Sequence, residues 1–164
     1  MNLRRPTEPL AGCVWLPRLI DKARHAEAGT LHPDFVTPFC HPLATDGAFL
    51  AHFELSKEEF LGALRATEGT DEAMARWFTA RPKSNPERIA AWNKLAPEIG
   101  KPGFPMHRGF QWMLKRLYGG TPPDPRVNSA FTAIAYDEGY LDDLIAPSGS
   151  SPTETQQSEH PQVY

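Results

Sequence analysis

The sequence predicts an all-α fold: a single compact bundle of about six to seven short helices joined by proline-rich loops. Three observations predict it. Apolar residues recur at helical spacing in one segment after another. Capping residues stand where those segments begin, and no run alternates with the period of a strand. The 164 residues suit one domain, divided here into an extended N-terminal arm (1–14), a helical domain (15–146) and a disordered C-terminal tail (147–164).

In the arm, Pro6 and Pro9 oppose a helix. The first helix starts at Pro17, whose missing N–H costs nothing in a first turn. Leu16, Leu19, Ile20, Ala23 and Ala26 form its apolar stripe, and Gly29 supplies a left-handed stop. The stretch "TLHPDFVTPFCHPLA" (30–44) is a loop rich in proline, yet Phe35, Val36 and Phe39 are too apolar for a solvated linker, so it packs on the body. A short helix over 46–54 turns Phe49, Leu50 and Phe53 inward.

In "LSKEEF", Ser56 and Glu59 form a capping box and Leu55 and Phe60 a hydrophobic staple, opening a helix to about Ala66. Thr70 caps the next helix, with Met74, Trp77 and Phe78 inward. Asn85 and Pro86 start another, carrying Ile89, Trp92 and Leu95. "IGKPGFP" breaks the chain at 99–105 before a long amphipathic helix, about 105–118, with Met106, Phe110, Met113, Leu114 and Leu117 on one face. Gly119 and Gly120 end it, and a final helix runs from about 129 to 138. From Pro147 the chain is polar and poor in apolar residues, the composition of disorder.

The net charge of −3 argues against a nucleic-acid partner, which calls for a basic excess. No apolar stretch approaches the roughly 20 residues of a membrane helix, and no apolar run follows the basic pair Arg4–Arg5 as in a signal peptide. A cytoplasmic protein is expected, with Cys13 and Cys40 as free thiols.

Three segments carry a resemblance: "LPRLIDKAR" followed by "AGTL" and then a Cys before a "PL" step, with "NPERIAAWN" and "FTAIAYDEG" downstream. Over roughly residues 12 to 142 the chain resembles a bacterial family known only as a domain of unknown function, number five thousand and sixty-nine. The resemblance implies a small soluble bacterial protein and no particular reaction. Members sometimes carry a gluconolactonase label, but proteins with that activity are typically long metal-dependent β-propellers, and nothing in this sequence resembles a propeller. The family's loop after "GTL" is shorter, with Cys-Pro-Leu-Asp; here "CHPLATD" inserts His41 and displaces Asp46.

The segment of sharpest resemblance is also the densest in ionisable groups. At 100° per residue, Arg18, Asp21, Lys22 and His25 share an arc of about 100° opposite the apolar stripe. Read blandly, that arc is a solvated face with Arg18–Asp21 and Asp21–His25 ion pairs. Read functionally, the loop containing Phe39 closes over it and dries it. Asp21 or His25 is then a general base, Lys22 an acid or electrophile, and Arg18 or Arg24 the holder of an anionic group.

The loop adds His32, Phe39, Cys40 and His41. Cys40 is either a buried structural thiol or a nucleophile with His32 as base, since an adjacent His41 aligns poorly. The His/Cys spacing does not suit a metal site, and no metal or cofactor is expected. On the long helix Arg108, Trp112, Lys115 and Arg116 share a face, either a cation-flanked tryptophan or a patch for a polyanion. Asp137, before Gly139, is read as part of a turn.

The function expected is a small cofactor-independent enzyme applying acid–base chemistry to a small polar, anionic or carbonyl-bearing metabolite. The catalytic set is Asp21, Lys22, His25 and Cys40, with Arg18, Arg24, His32, Phe39 and His41 binding substrate. The rival is a non-catalytic binding or protein-interaction module. The partners expected are a small-molecule ligand and, in assembly, a second copy as a homodimer; neither nucleic acid nor a membrane is expected.

Overall fold

The computed structural model describes residues 1–145, and the tail expected to be disordered lies outside them. The described residues form a helical fold, as the periodicity demands, together with one small hairpin in the arm that the sequence predicts only as extended. Residues 1–14 run along the body and end in β1 (Pro9–Leu10) and β2 (Cys13–Val14), paired antiparallel with Pro9 opposite Val14. The turn between them places Ala11 and Gly12 at φ of 50° and 74°, the left-handed geometry that tight hairpins require. Asn93 holds that turn, donating to the Gly12 carbonyl (2.7 Å) and accepting from the Val14 N–H (3.1 Å).

Nine helices follow among the described residues. They are α1 (Leu16–Glu27), α2 (Pro33–Val36), α3 (Thr45–His52), α4 (Lys57–Ala66), α5 (Asp71–Ala80), α6 (Pro86–Leu95), α7 (His107–Tyr118), α8 (Ala130–Asp137) and α9 (Leu141–Ile145). The caps read from sequence are in place. Ser56 accepts from the Glu59 N–H while Glu59 reaches back to the Ser56 N–H, and Thr70 and Asn85 accept from Ala73 and Arg88. Ser129 and Thr132 make a second capping box at α8. The one-turn α2 inside the proline loop and the five-residue α9 are additions to the sequence expectation; neither is long enough to show a period.

The larger core gathers Leu16, Leu19 and Ile20 of α1 with Phe49 and Phe53 of α3, Phe60 and Leu64 of α4, Met74 and Phe78 of α5 and Trp92 of α6. Its centre is aromatic: Phe49 lies 4.8 Å from Phe53 and meets Trp92 edge-on at 5.2 Å between ring centroids. A smaller core joins Phe110 and Leu114 of α7 to Ala133, Ala135, Tyr140 and Leu141. α8 joins the two: its Phe131 stacks on Trp15 of the larger core at 5.4 Å, Ala133 and Ala135 lie in the smaller one, and Ile134 packs against both. Two positions expected to pack inward are exposed: Leu117 is 57% exposed near the end of α7, and Val36 in the proline loop is 59% exposed. Trp77 is half-buried and packs against the larger core as expected.

Candidate functional site

The opening helix is buried almost all round. Its charged arc, expected to be either solvated or covered by one loop, is covered at Arg18, Asp21 and Lys22 from three directions, the N-terminal arm, the loop after α2 and the end of α8, while His25 stays at the surface. Arg18 is 1% exposed and Lys22 5%.

Lys22 forms an ion pair with Asp46 of α3, which is 1% exposed. Asp46 accepts two further hydrogen bonds: Trp15 Nε1 donates to its Oδ1 at 3.0 Å and the Cys40 N–H to its Oδ2 at 3.2 Å. The Lys22 ammonium also stands 4.9 Å from the Trp15 ring centroid. Burial lowers the Lys22 pKa, with the Asp46 charge and hydrogen bond opposing that shift. α3 can bring Asp46 this close because Gly47 has no side chain; a β-carbon there would collide with the main chain of His41 and Pro42.

Phe39 is buried in the larger core, as the lid reading expects, and Lys57 lies 5.1 Å from its ring centroid. Cys40 is half-buried with φ of 56°, a left-handed conformation unusual for a side-chain-bearing residue. Burial, reinforced by Asp46, pushes its thiol up to about 12, so the thiol is neutral near pH 7. Both cysteines are free thiols, and Cys13 is fully buried.

The other expected site residues are engaged elsewhere. Asp21 does not pair with Arg18 or His25. It accepts from Arg4 Nη2 at 2.7 Å and Arg24 Nη1 at 3.2 Å, and both arginines also bind Asp71 of α5, each at 2.6 Å. This four-member lattice pins the arm to α1 and α5. Burial pushes the Asp71 carboxyl up, but hydrogen bonds from Arg4 and Arg24 outweigh it and set it below 3.8. Arg18 instead grips Glu138 through both terminal nitrogens, at 2.5 and 3.3 Å, and donates to the Arg4 carbonyl. His25 bonds Thr30 at 2.8 Å on the surface. His32 and His41 each fold onto their own loop, accepting from Asp34 and Leu43. Among the described residues, no three of His, Cys, Asp and Glu converge as a metal site requires.

Four residues of these networks went unread in the sequence as partners: Arg4, Asp46, Asp71 and Glu138. "LRRP" signals a basic arm but not its target, and Glu138 rather than its neighbour Asp137 reaches α1. Asp137 accepts from the Tyr118 hydroxyl.

Two surface clefts lie outside the Lys22–Asp46 pair. One, of about 440 Å³, is lined by Gly12, Thr79, Ser84, Ile89 and Asn93 among others. The other, about 280 Å³, has Arg24 on its wall beside Glu27, Leu64, Arg65 and Gly69, but Arg24 is bonded there to the Gly69 carbonyl. The outer side of α7 is different. Trp112 is 61% exposed with the Arg116 guanidinium 5.3 Å from its ring centroid, and Arg108 and Lys115 stand exposed beside it. Leu43, 73% exposed, borders this face: its carbonyl oxygen lies 3.6 Å from where a β-carbon of Gly109 would be. No helix among the described residues is long and apolar enough to cross a membrane.

No curated protein matches this sequence. The family model described as a domain of unknown function (DUF5069) matches residues 1–140, most of the 164-residue chain, and this protein therefore belongs to that family.

Proposed function

We propose that this protein is a non-catalytic recognition module that meets a protein partner through the outer face of α7. The observation that carries the reading is Trp112, a large aromatic left mostly in water beneath Arg116 on a helix without carboxylates. Exposed tryptophan flanked by arginine matches the composition of binding hot spots. The first helix points the same way, since Asp21 and Lys22, first read as catalytic, and Arg18 and Arg24, first read as substrate-binding, are each engaged in internal ion pairs. Neither cleft described above opens onto them as a whole.

The test places a photo-crosslinking amino acid at position 112 and, as a control, at exposed Arg76 of α5. A discrete protein adduct at 112 and none at 76, formed in cells that express the chain natively, supports the module. Indistinguishable adducts at both positions overturn it.

A second reading keeps the Lys22–Asp46–Cys40 cluster as the centre of a cofactor-independent acid–base enzyme for a small anionic or carbonyl-bearing metabolite. It is favoured by one observation: a buried lysine with a lowered pKa lies in the same cluster as a half-open cysteine held in a left-handed conformation. Turnover of any member of a panel of small carboxylates, lactones and hydroxy-acids, lost in folded K22M and C40S, supports this reading. A wild-type protein inert on the whole panel removes it.

A further inference from the structure

We infer that the partner of α7 is an acidic, amphipathic segment of another protein, its carboxylates meeting Arg108, Lys115 and Arg116 and its apolar side chains covering Trp112 and Leu43. The inference rests on the reading of α7 as the contact face and names the chemistry of what binds there.

The charge map carries it. Between Glu98 and Asp124 the chain has four cations (Lys101, Arg108, Lys115 and Arg116) and no carboxylate, whereas the whole chain carries −3 and the remainder therefore −7. Lys101 is taken by Glu98 at 2.9 Å. Among the described residues the other three make no ion pair and stand exposed along a 12-residue helix, about 18 Å long. Elsewhere among the described residues most arginines are matched to carboxylates, as in the Arg4–Asp21–Asp71–Arg24 lattice and the Arg126–Asp124 pair; Arg76 and Arg81 stand singly, whereas α7 gathers its three unmatched cations on one helix. An unmatched basic face on an acidic protein is complementary to an acidic surface and steers its approach.

Apolar neighbours narrow the class. Trp112 and Leu43 are 61% and 73% exposed. An aliphatic side chain offers no stacking platform to bases, so a single-stranded nucleic acid would use Trp112 while leaving Leu43 idle. It would also run out onto a body of charge −7. A second copy related by a two-fold axis would set Arg108, Lys115 and Arg116 against their own counterparts, which like-charge repulsion disfavours. A short peptide with carboxylates on one side and leucine-like residues on the other satisfies both the cations and the apolar surface.

The experiment measures binding of fluorescent probes to the full-length protein by anisotropy at low salt. The probes are a peptide of about 12 residues, the length of α7, with Glu and Leu at helical spacing, the same peptide with Lys for Glu, an all-Glu peptide, and oligothymidylate of similar length. The Glu/Leu peptide is expected to bind best, to weaken about tenfold in W112A and in R116E, and to weaken with added salt. Equal binding of the all-Glu or Lys peptide, tighter binding of oligothymidylate, or no loss in either variant overturns the inference. Both substituted positions are exposed, so unchanged circular dichroism is expected to accompany these results. If a crosslink at 112 finds a partner while the Glu/Leu peptide fails to bind, the contact face stands and its acidic occupant falls. If neither is seen, both readings fall.

Discussion

Lys22 and Asp46 show what burial asks of an ion pair. Taking two charges from water costs several kcal/mol, and only full hydrogen bonding offsets that cost. Asp46 accepts three hydrogen bonds toward that offset, from Lys22, Trp15 and the Cys40 N–H. Removing Lys22 alone leaves a buried carboxylate without its counter-charge, so K22M is expected to cost about 3–5 kcal/mol in urea denaturation. D46N strands the ammonium in turn. The double variant K22M/D46N should lose about 1–3 kcal/mol less than the two singles summed, whereas simple additivity would show that the two charges do not interact. The thiols give a second prediction at this scale. Burial raises Cys13 from 9.0 to about 12, and burial with Asp46 does the same for Cys40. A raised acid stabilises the fold fully below its unfolded pKa and loses that contribution as pH climbs through the folded one. Stability should therefore fall between pH 9 and about 12, and C13A should flatten part of that fall. In a thiol-reagent assay near pH 8, half-buried Cys40 is expected to react before fully buried Cys13, and the opposite order would contradict the burial described here.

The helices are bounded by local chemistry, and their positions depend on a few close approaches. The Ser56–Glu59 box satisfies N–H groups that α4 would otherwise leave open, so S56A is expected to cost about 1 kcal/mol by thermal or chemical denaturation. Gly47 acts at a different level. It lets the first turn of α3 lie against the main chain at His41 and Pro42, which delivers Asp46 to Lys22. G47A should thus cost about 1–3 kcal/mol, more than S56A, because backbone has to move to admit the methyl group. A smaller loss in G47A than in S56A would show that this approach is not tight. Gly100, at φ of 98° with Phe110 packed against it, plays a similar part where α7 docks.

Across the molecule, two cores share one long-range clasp. Arg18 sits on α1 in the larger core, while Glu138 ends α8 beside the smaller one. Arg5 repeats the connection at the surface, pairing with Asp143 at 3.1 Å and lying 4.3 Å over the Tyr140 ring. Glu138 is a third exposed, so E138A is expected to cost only about 1–3 kcal/mol. Its regional signature is sharper: amides of α8 and α9 should exchange hydrogen faster while those of α3 to α6 keep their protection. Uniformly faster exchange would mean that the cores open as one unit. The same division places α7 on the smaller core with its outer side unpartnered among the described residues, which is where the proposed contact lies.

The seven longer helices, their caps and most of the core were legible in the sequence, because period, capping side chains and proline position act over a few residues. Ser56, Thr70 and Asn85 cap where a local reading puts them, and the dense charge on "LPRLIDKAR" was correctly marked as unusual. What that charge does was not legible. An arginine or lysine specifies its own desolvation cost but not which distant carboxylate meets it. Arg18 pairs across 120 residues with Glu138, and Asp71 is bridged to Asp21 by Arg4 from the far end of the chain. Short-range physics wrote the helices; only the folded chain, by exchanging water for specific long-range partners, decided that the face of α1 lies inside and the face of α7 outside.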